Sequence, residues 1–162
     1  MKRLTFIILT LLVAANLQAQ DILKRFETER ISCNYSYTVA GPVALNFSGE
    51  AIVQGNCYYL NGNGLEIFCD GASRWTLDRE AMEVYIENAE DVENLLQAFL
   101  LNSKNMKFTD KEVTGTYTDT VQGTDIDFKL NGITYTKASE DLAAFTLDVK
   151  NLGASYLVTD LR

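Results

Sequence analysis

The feature that most constrains this chain is a period of two in its apolar residues. Tyr35, Tyr37 and Val39 alternate with Asn34, Ser36 and Thr38, and after Ala40-Gly41-Pro42 the residues Val43, Leu45 and Phe47 alternate with Ala44, Asn46 and Ser48. Side chains two apart share a face only in a strand, so this is a pair of strands with one apolar side. A three-residue turn at Ala40-Gly41-Pro42 predicts that Val39 faces Val43, Tyr37 faces Leu45 and Tyr35 faces Phe47. A one-residue slip would oppose apolar to polar side chains along the whole pair.

Further strands follow at the spacing of an antiparallel meander, about eight to twelve residues apart. Glu50 to Gln54 turns at Gly55-Asn56 into Tyr58 to Leu60, and Leu65 to Cys69 turns at Asp70-Gly71 into Arg74 to Leu77. Met82, Val84 and Ile86 then alternate with Glu83, Tyr85 and Glu87. A lone proline, Pro42, leaves these runs unbroken. Tyr58 and Tyr59 are adjacent, as are Ile67 and Phe68, which predicts apolar material on both faces of part of the sheet.

The period changes to that of a helix twice. Asp21 to Glu29 opens with a capping residue and places Ile22, Leu23 and Phe26 on one side. Val92, Leu95, Leu96, Phe99 and Leu100 fall at i, i+3, i+4, i+7 and i+8, with Asn88, Asp91 and Glu93 supplying a cap and negative charge ahead of them. Lys104 and Lys107 follow, with the sign that suits a helix end. Glu112 to Thr120, Asp125 to Leu130, Ile133 to Lys137, Phe145 to Lys150 and Ser155 to Thr159 read as polar strands, with turns at Asn131-Gly132 and Leu152-Gly153. Strands interrupted by helices, without a linker or repeat, make this an α+β chain of one domain over residues 20–162.

Residues 1–19 read as a signal peptide. Lys2 and Arg3 precede an apolar run from Leu4 to Ala15, and Leu17-Gln18-Ala19 ends in a small residue, so cleavage is expected after Ala19. The run falls short of the roughly twenty residues that span a bilayer, so no stable membrane anchor is expected. Lys2 and Arg3 belong to that segment, so 12 of the 14 basic residues remain against 22 acidic ones, a net charge of −10. That balance argues against nucleic acid as a partner, since binding phosphates requires clustered Lys and Arg.

Catalysis is poorly provided for. There is no histidine, which removes Ser-His-Asp and Cys-His devices and imidazole metal sites, and Ser73 in Gly71-Ala72-Ser73-Arg74-Trp75 lacks the second glycine of a nucleophile elbow. Asp119, Asp125 and Asp127 near Gly123 lack the register of an EF-hand and read as a polar hairpin end. No enzyme activity, cofactor or metal is expected. Three cysteines, Cys33, Cys57 and Cys69, are too few for a disulfide scaffold. A three-residue loop centred on Asn63 would set Cys57 opposite Cys69 for a bridge; the other reading is three buried thiols acting as small hydrophobes.

The stretch Gly49-Glu50-Ala51-Ile52-Val53-Gln54-Gly55-Asn56, the aromatic strand after it, Leu65-Glu66-Ile67-Phe68-Cys69-Asp70-Gly71-Ala72-Ser73-Arg74-Trp75, and Glu83-Val84-Tyr85-Ile86 together resemble the LolA-like periplasmic lipoprotein carriers. The resemblance covers roughly residues 21–105. It implies an antiparallel β meander curved into an open half-barrel, with two or more amphipathic helices covering the concave face as a lid. It implies a periplasmic carrier whose cargo is the acyl chains of a lipoprotein or another lipid, moved between membrane-bound donor and acceptor proteins. Phe26, Leu95, Leu96, Phe99 and Leu100 would lie on the lid, and Tyr35, Tyr37, Leu45, Phe47, Val53, Trp75 and Leu77 would line the cavity. The best-known carriers of the family place an arginine in the turn before the third strand, where it locks the lid; here that position is Gln54, which can hydrogen-bond but brings no charge.

The physical case stands beside the resemblance. Acyl chains have no hydrogen-bonding groups, so a site for them needs apolar area rather than a triad or a metal. The competing reading is that Tyr35, Tyr37, Leu45, Phe47, Trp75, Leu77, Leu95 and Phe99 make a closed core in an exported structural or protein-binding module.

Overall fold

The computed structural model describes residues 24, 25, 28–42, 44–91, 95–120 and 122–162, without the side chains of Asp91, Leu95 and Gln97. The expected signal peptide and Phe26 lie outside the described residues. The strands are β1 (Glu29–Val39), β2 (Leu45–Gln54), β3 (Cys57–Gly62), β4 (Leu65–Cys69), β5 (Ser73–Asp78), β6 (Glu83–Asn88), β7 (Lys104–Thr109), β8 (Glu112–Asp119), β9 (Thr124–Lys137) and β10 (Leu157–Asp160), with a helix α1 (Leu95–Asn102) between β6 and β7. They form one sheet in the order β10-β6-β5-β4-β3-β2-β1-β9-β8-β7. Every pairing is antiparallel except that of β10 with β6.

This corrects the expected α+β half-barrel with two or more amphipathic helices over its concave face. The described chain is mainly β, a single mixed sheet of ten strands. Its α-helix amounts to α1, with Lys24, Arg25 and Thr28 in helical conformation just ahead of β1. Nor is α1 amphipathic in the sense of a removable cover: Leu96, Ala98, Phe99 and Leu100 are all buried, so it is enclosed around much of its girth.

The meander itself follows the turn chemistry. Asn63 and Gly64 both have positive φ, 54° and 82°, the pair of left-handed residues that a two-residue hairpin requires, and they join Gly62 to its partner Leu65. This turn sets Tyr58, not Cys57, opposite Cys69, so Cys57 points to the other face and all three cysteines are free thiols. The β1–β2 hairpin keeps the expected parity but shifts by two residues: Val39 faces Leu45, Tyr37 faces Phe47 and Tyr35 faces Gly49. Ala40 leaves the hairpin to donate its N–H to the Asp125 carbonyl at 3.2 Å, which lengthens the loop.

Two expected turns and strands resolve differently. Asn131-Gly132 is a bulge inside the 14-residue β9, where the register against β1 shifts between Ser32 and Asn34. The bulge switches parity, so that Ile126, Phe128 and Leu130 before it and Ile133 after it are buried in one cluster. Phe145 to Lys150 is not a strand but two short 3-10 turns, Ala143–Phe145 and Val149–Asn151.

Partners across a ladder share a face, and the registers sort the side chains into two cores. One face carries Ile31, Cys33, Ala51, Val53, Tyr58, Cys69, Val113, Phe128 and Leu130, packed with α1. The other carries Leu77, Val84 and Ile86 with Phe68 and Trp75, covered by Leu147, Val149, Leu152 and Tyr156 from the segment between β9 and β10. That segment crosses from the β9 side of the sheet to its far edge, where β10 docks parallel to β6. A crossing of this kind is what a parallel edge strand demands.

Candidate functional site

On the α1 face, the sheet and helix leave a cavity of about 340 Å³. Its walls are Tyr35 and Tyr37 of β1, Phe47 of β2, Tyr58, Leu60 and Gly62 of β3, Leu65 and Ile67 of β4, Arg74 of β5, and Leu96 and Phe99 of α1, with Asn63 at the turn. The volume lies within the range of small-molecule sites, about 300–1,000 Å³. Cross-strand partners set the floor: Leu60 faces Ile67, Tyr58 faces Cys69 and Cys69 faces Arg74. The cavity follows the strands from the Asn63-Gly64 turn, where Asn63 and Leu65 are exposed, to the buried Tyr58.

Two glycines let the strands and Tyr35 approach one another closely along its wall. Gly49 and Gly62 are partners across β2 and β3, and a Cβ on Gly49 would collide with the Asn61 carbonyl oxygen. A Cβ on Gly62 would come 2.8 Å from the Tyr35 hydroxyl. Tyr35 thus lays its hydroxyl directly on the backbone at Gly62. Tyr37 continues the wall, stacked on Phe47 with ring centroids 4.8 Å apart. Phe99 closes it from above, stacked on Phe128 at 4.7 Å and meeting Tyr37 edge-on at 5.7 Å.

Of the expected site residues, Tyr35, Tyr37, Phe47, Leu96 and Phe99 come together around this cavity. Val53 and Leu100 are buried in the same core without lining it. Leu45 is 54% exposed near the end of the β1–β2 hairpin. Trp75 and Leu77 belong to the opposite face, because Arg74 is the partner of Cys69 and neighbours in a strand point apart. The Leu95 side chain and Phe26 lie outside the described residues. Tyr58, Leu60, Leu65, Ile67 and Arg74 line the cavity without having been singled out; the alternation through β3, β4 and β5 carries their signal once the turn at Asn63-Gly64 fixes the register.

Gln54 does not face α1. Its Nε2 donates to the Ser139 carbonyl at 2.8 Å, and its Oε1 accepts from the Ser139 N–H at 3.1 Å and from Arg30 Nε at 2.9 Å. Arg30 in turn donates to the Asp141 carbonyl at 2.8 Å and sits 5.1 Å over the ring of the buried Phe145. Gln54 therefore clasps the crossing segment to the other face of the sheet.

The titration of the site is governed by burial. It pushes the Tyr58 hydroxyl up to about 12 and raises Tyr35 and Tyr37 above their ordinary 10.0. The Cys33 thiol is pushed up to about 11 for the same reason. These groups stay neutral near pH 7, which suits an apolar wall and not a nucleophile. Ser73 accepts a hydrogen bond from Arg162 Nη1 at 3.0 Å, and Asp125 and Asp127 accept from Thr118 and Thr116 in the β8–β9 hairpin. Among the described residues no group of three His, Cys, Asp or Glu side chains could hold a metal ion, and no described helix is long and apolar enough to cross a membrane.

No family model and no curated protein matches the chain.

Proposed function

We propose that this protein is an exported, non-enzymatic carrier that holds an acyl chain, of a lipoprotein or another lipid, in the cavity between the sheet and α1. The observation that carries the reading is the cavity's wall: about 340 Å³ bounded mainly by aromatic and aliphatic side chains. An apolar wall favours an apolar guest over water, which finds few partners along it. Burial of methylenes supplies the affinity, at about 0.8 kcal/mol each. With Phe99 and Leu100 buried, α1 is a fixed roof, and the ligand enters beside Asn63 and Leu65 instead of under a lifting lid. The periplasm and membrane-bound donor and acceptor proteins belong to the same proposal, resting on the leader sequence and the carrier resemblance.

The test is extraction of the purified protein with organic solvent followed by mass spectrometry, together with titration by a fluorescent fatty-acid probe. Bound acyl species and saturable probe binding are expected. Protein that is free of lipid and ignores the probe would leave the other reading, an interaction module, which the exposed apolar side chains of the β10 end favour: Leu157 and Leu161 are each 61% exposed.

A further inference from the structure

One cation interrupts the apolar wall, and its Nε meets no protein acceptor. Arg74 lines the cavity beside Tyr58. Its Nε is buried and has no hydrogen-bond partner. Its one ion pair, from Nη1 to the Glu87 carboxylate, is loose at 3.9 Å, although the side chain is only 19% exposed. A guanidinium carries five N–H donors in a rigid fork suited to a carboxylate, and a buried donor that meets no protein acceptor can take one from a ligand. The other arginines among the described residues are engaged: Arg25 with both carboxylate oxygens of Glu29, Arg30 with Gln54, Arg79 with Glu66 and Arg162 with Asp160.

We propose that Arg74 recognises an anionic head, so that the ligand of the cavity is a single-chain alkyl carboxylate lying with its head at Arg74 and its tail toward the Asn63-Gly64 turn. The inference rests on the acyl-chain reading above and adds the ligand's charge, chain number and direction. The length agrees: from Tyr58 to Gly62 the cavity follows four residues of strand, roughly 13 Å, room for one chain of about ten methylenes and not for several side by side. The charge agrees too. With a net charge of −10 over residues 20–162 the chain disfavours carboxylates in general, and a cation set in a low-dielectric wall gives this cavity a place for one. Glu87, 3.9 Å from Arg74 Nη1, is the protein carboxylate with which the ligand's head competes.

The experiment compares dodecanoate with dodecanol, identical in chain length, by displacement of a fluorescent probe at neutral pH. Wild-type protein is expected to prefer dodecanoate about ten- to a hundredfold, the worth of a charge-assisted hydrogen bond in a partly buried site. Arg74→Gln should bring the dodecanoate-to-dodecanol affinity ratio down to about one, Arg74→Lys should keep part of it, and Glu87→Gln should raise it. Equal binding of the two ligands by wild type, or a preference that Arg74→Gln and Glu87→Gln both leave intact, would overturn the role of Arg74 while the acyl-chain reading stands. Binding of neither ligand would overturn both. If Arg74→Gln does not fold, the Arg74→Lys and Glu87→Gln ratios decide the matter.

Discussion

Truncating Phe99 to alanine separates a roof that is part of the core from a lid that rests on it. Phe99 is 1% exposed and meets three rings, Phe128 at 4.7 Å, Tyr117 at 5.6 Å and Tyr37 at 5.7 Å. Removing a buried phenylalanine costs about 3–5 kcal/mol, because the transfer energy is lost and a hole is left. Each aromatic pair adds about 0.5–1.5 kcal/mol beyond area, which places Phe99→Ala in the upper half of that range. The control is Phe47→Ala: it lines the same cavity but is half-buried, and its ring pairs with Tyr37 at 4.8 Å, so a loss of about 1–2 kcal/mol is expected. Since a domain of this size holds only about 5–15 kcal/mol in total, the Phe99 change should lower the urea midpoint severely at constant slope, followed by far-UV circular dichroism. A loss under about 1 kcal/mol for Phe99→Ala would show that α1 lifts from the sheet at little cost, and the fixed roof would be wrong.

Two further outcomes test other parts of the structure. Gln54→Ala removes three hydrogen bonds that join β2 to Ser139 and Arg30, so it should destabilise by about 1–3 kcal/mol and speed proteolysis of the crossing segment. Acyl-probe affinity should be unchanged because Gln54 lies on the face away from the cavity; a large loss of affinity would return Gln54 to the role of a lock. Stability should also fall in alkali. Burial holds the Cys33 thiol up to about 11 against an ordinary 9.0, so the folded chain keeps a proton that the unfolded chain releases. Its contribution is whole below pH 9.0 and lost as pH rises to about 11, in total about 3 kcal/mol. Urea midpoints measured across that window should decline in wild type and decline less in Cys33→Ala; parallel curves would contradict the assignment.

What could be read from the sequence was parity; what could not was register and the identity of the covering layers. The alternation of Tyr35, Tyr37 and Val39 gave β1 its apolar face, yet the hairpin register missed by two residues because the Ala40 N–H bonds to β9, a contact between residues far apart in sequence. In β5 both Trp75 and Arg74 have neighbours of mixed character, so only the pairing of Arg74 with Cys69 reveals that Trp75 faces away from the cavity. The long β9 was visible in the composition but split by Asn131-Gly132, since a glycine that makes a bulge looks like one that makes a turn. Its sign was the switch of apolar positions from even numbers up to Leu130 to odd from Ile133. The segment that covers Leu77 and Ile86 has no period to detect, because 3-10 turns bury isolated side chains such as Phe145. Helix α1 was legible as a helix, but its position inside the core depends on the rings of Tyr37, Tyr117 and Phe128 that surround Phe99.

Everything functional rests on the cavity being an occupied site, and filling it tests that most directly. Leu60 lies on its floor opposite Ile67, and Leu60→Trp puts an indole into the space at an overpacking cost of about 1–3 kcal/mol. The measurement is the titration of a fluorescent fatty-acid probe against wild type and Leu60→Trp, both shown folded by circular dichroism. Saturable binding of one probe per chain in wild type, lost in Leu60→Trp, is the expected result. Equal binding by the two proteins, or none by wild type, would contradict an acyl-chain site between the sheet and α1.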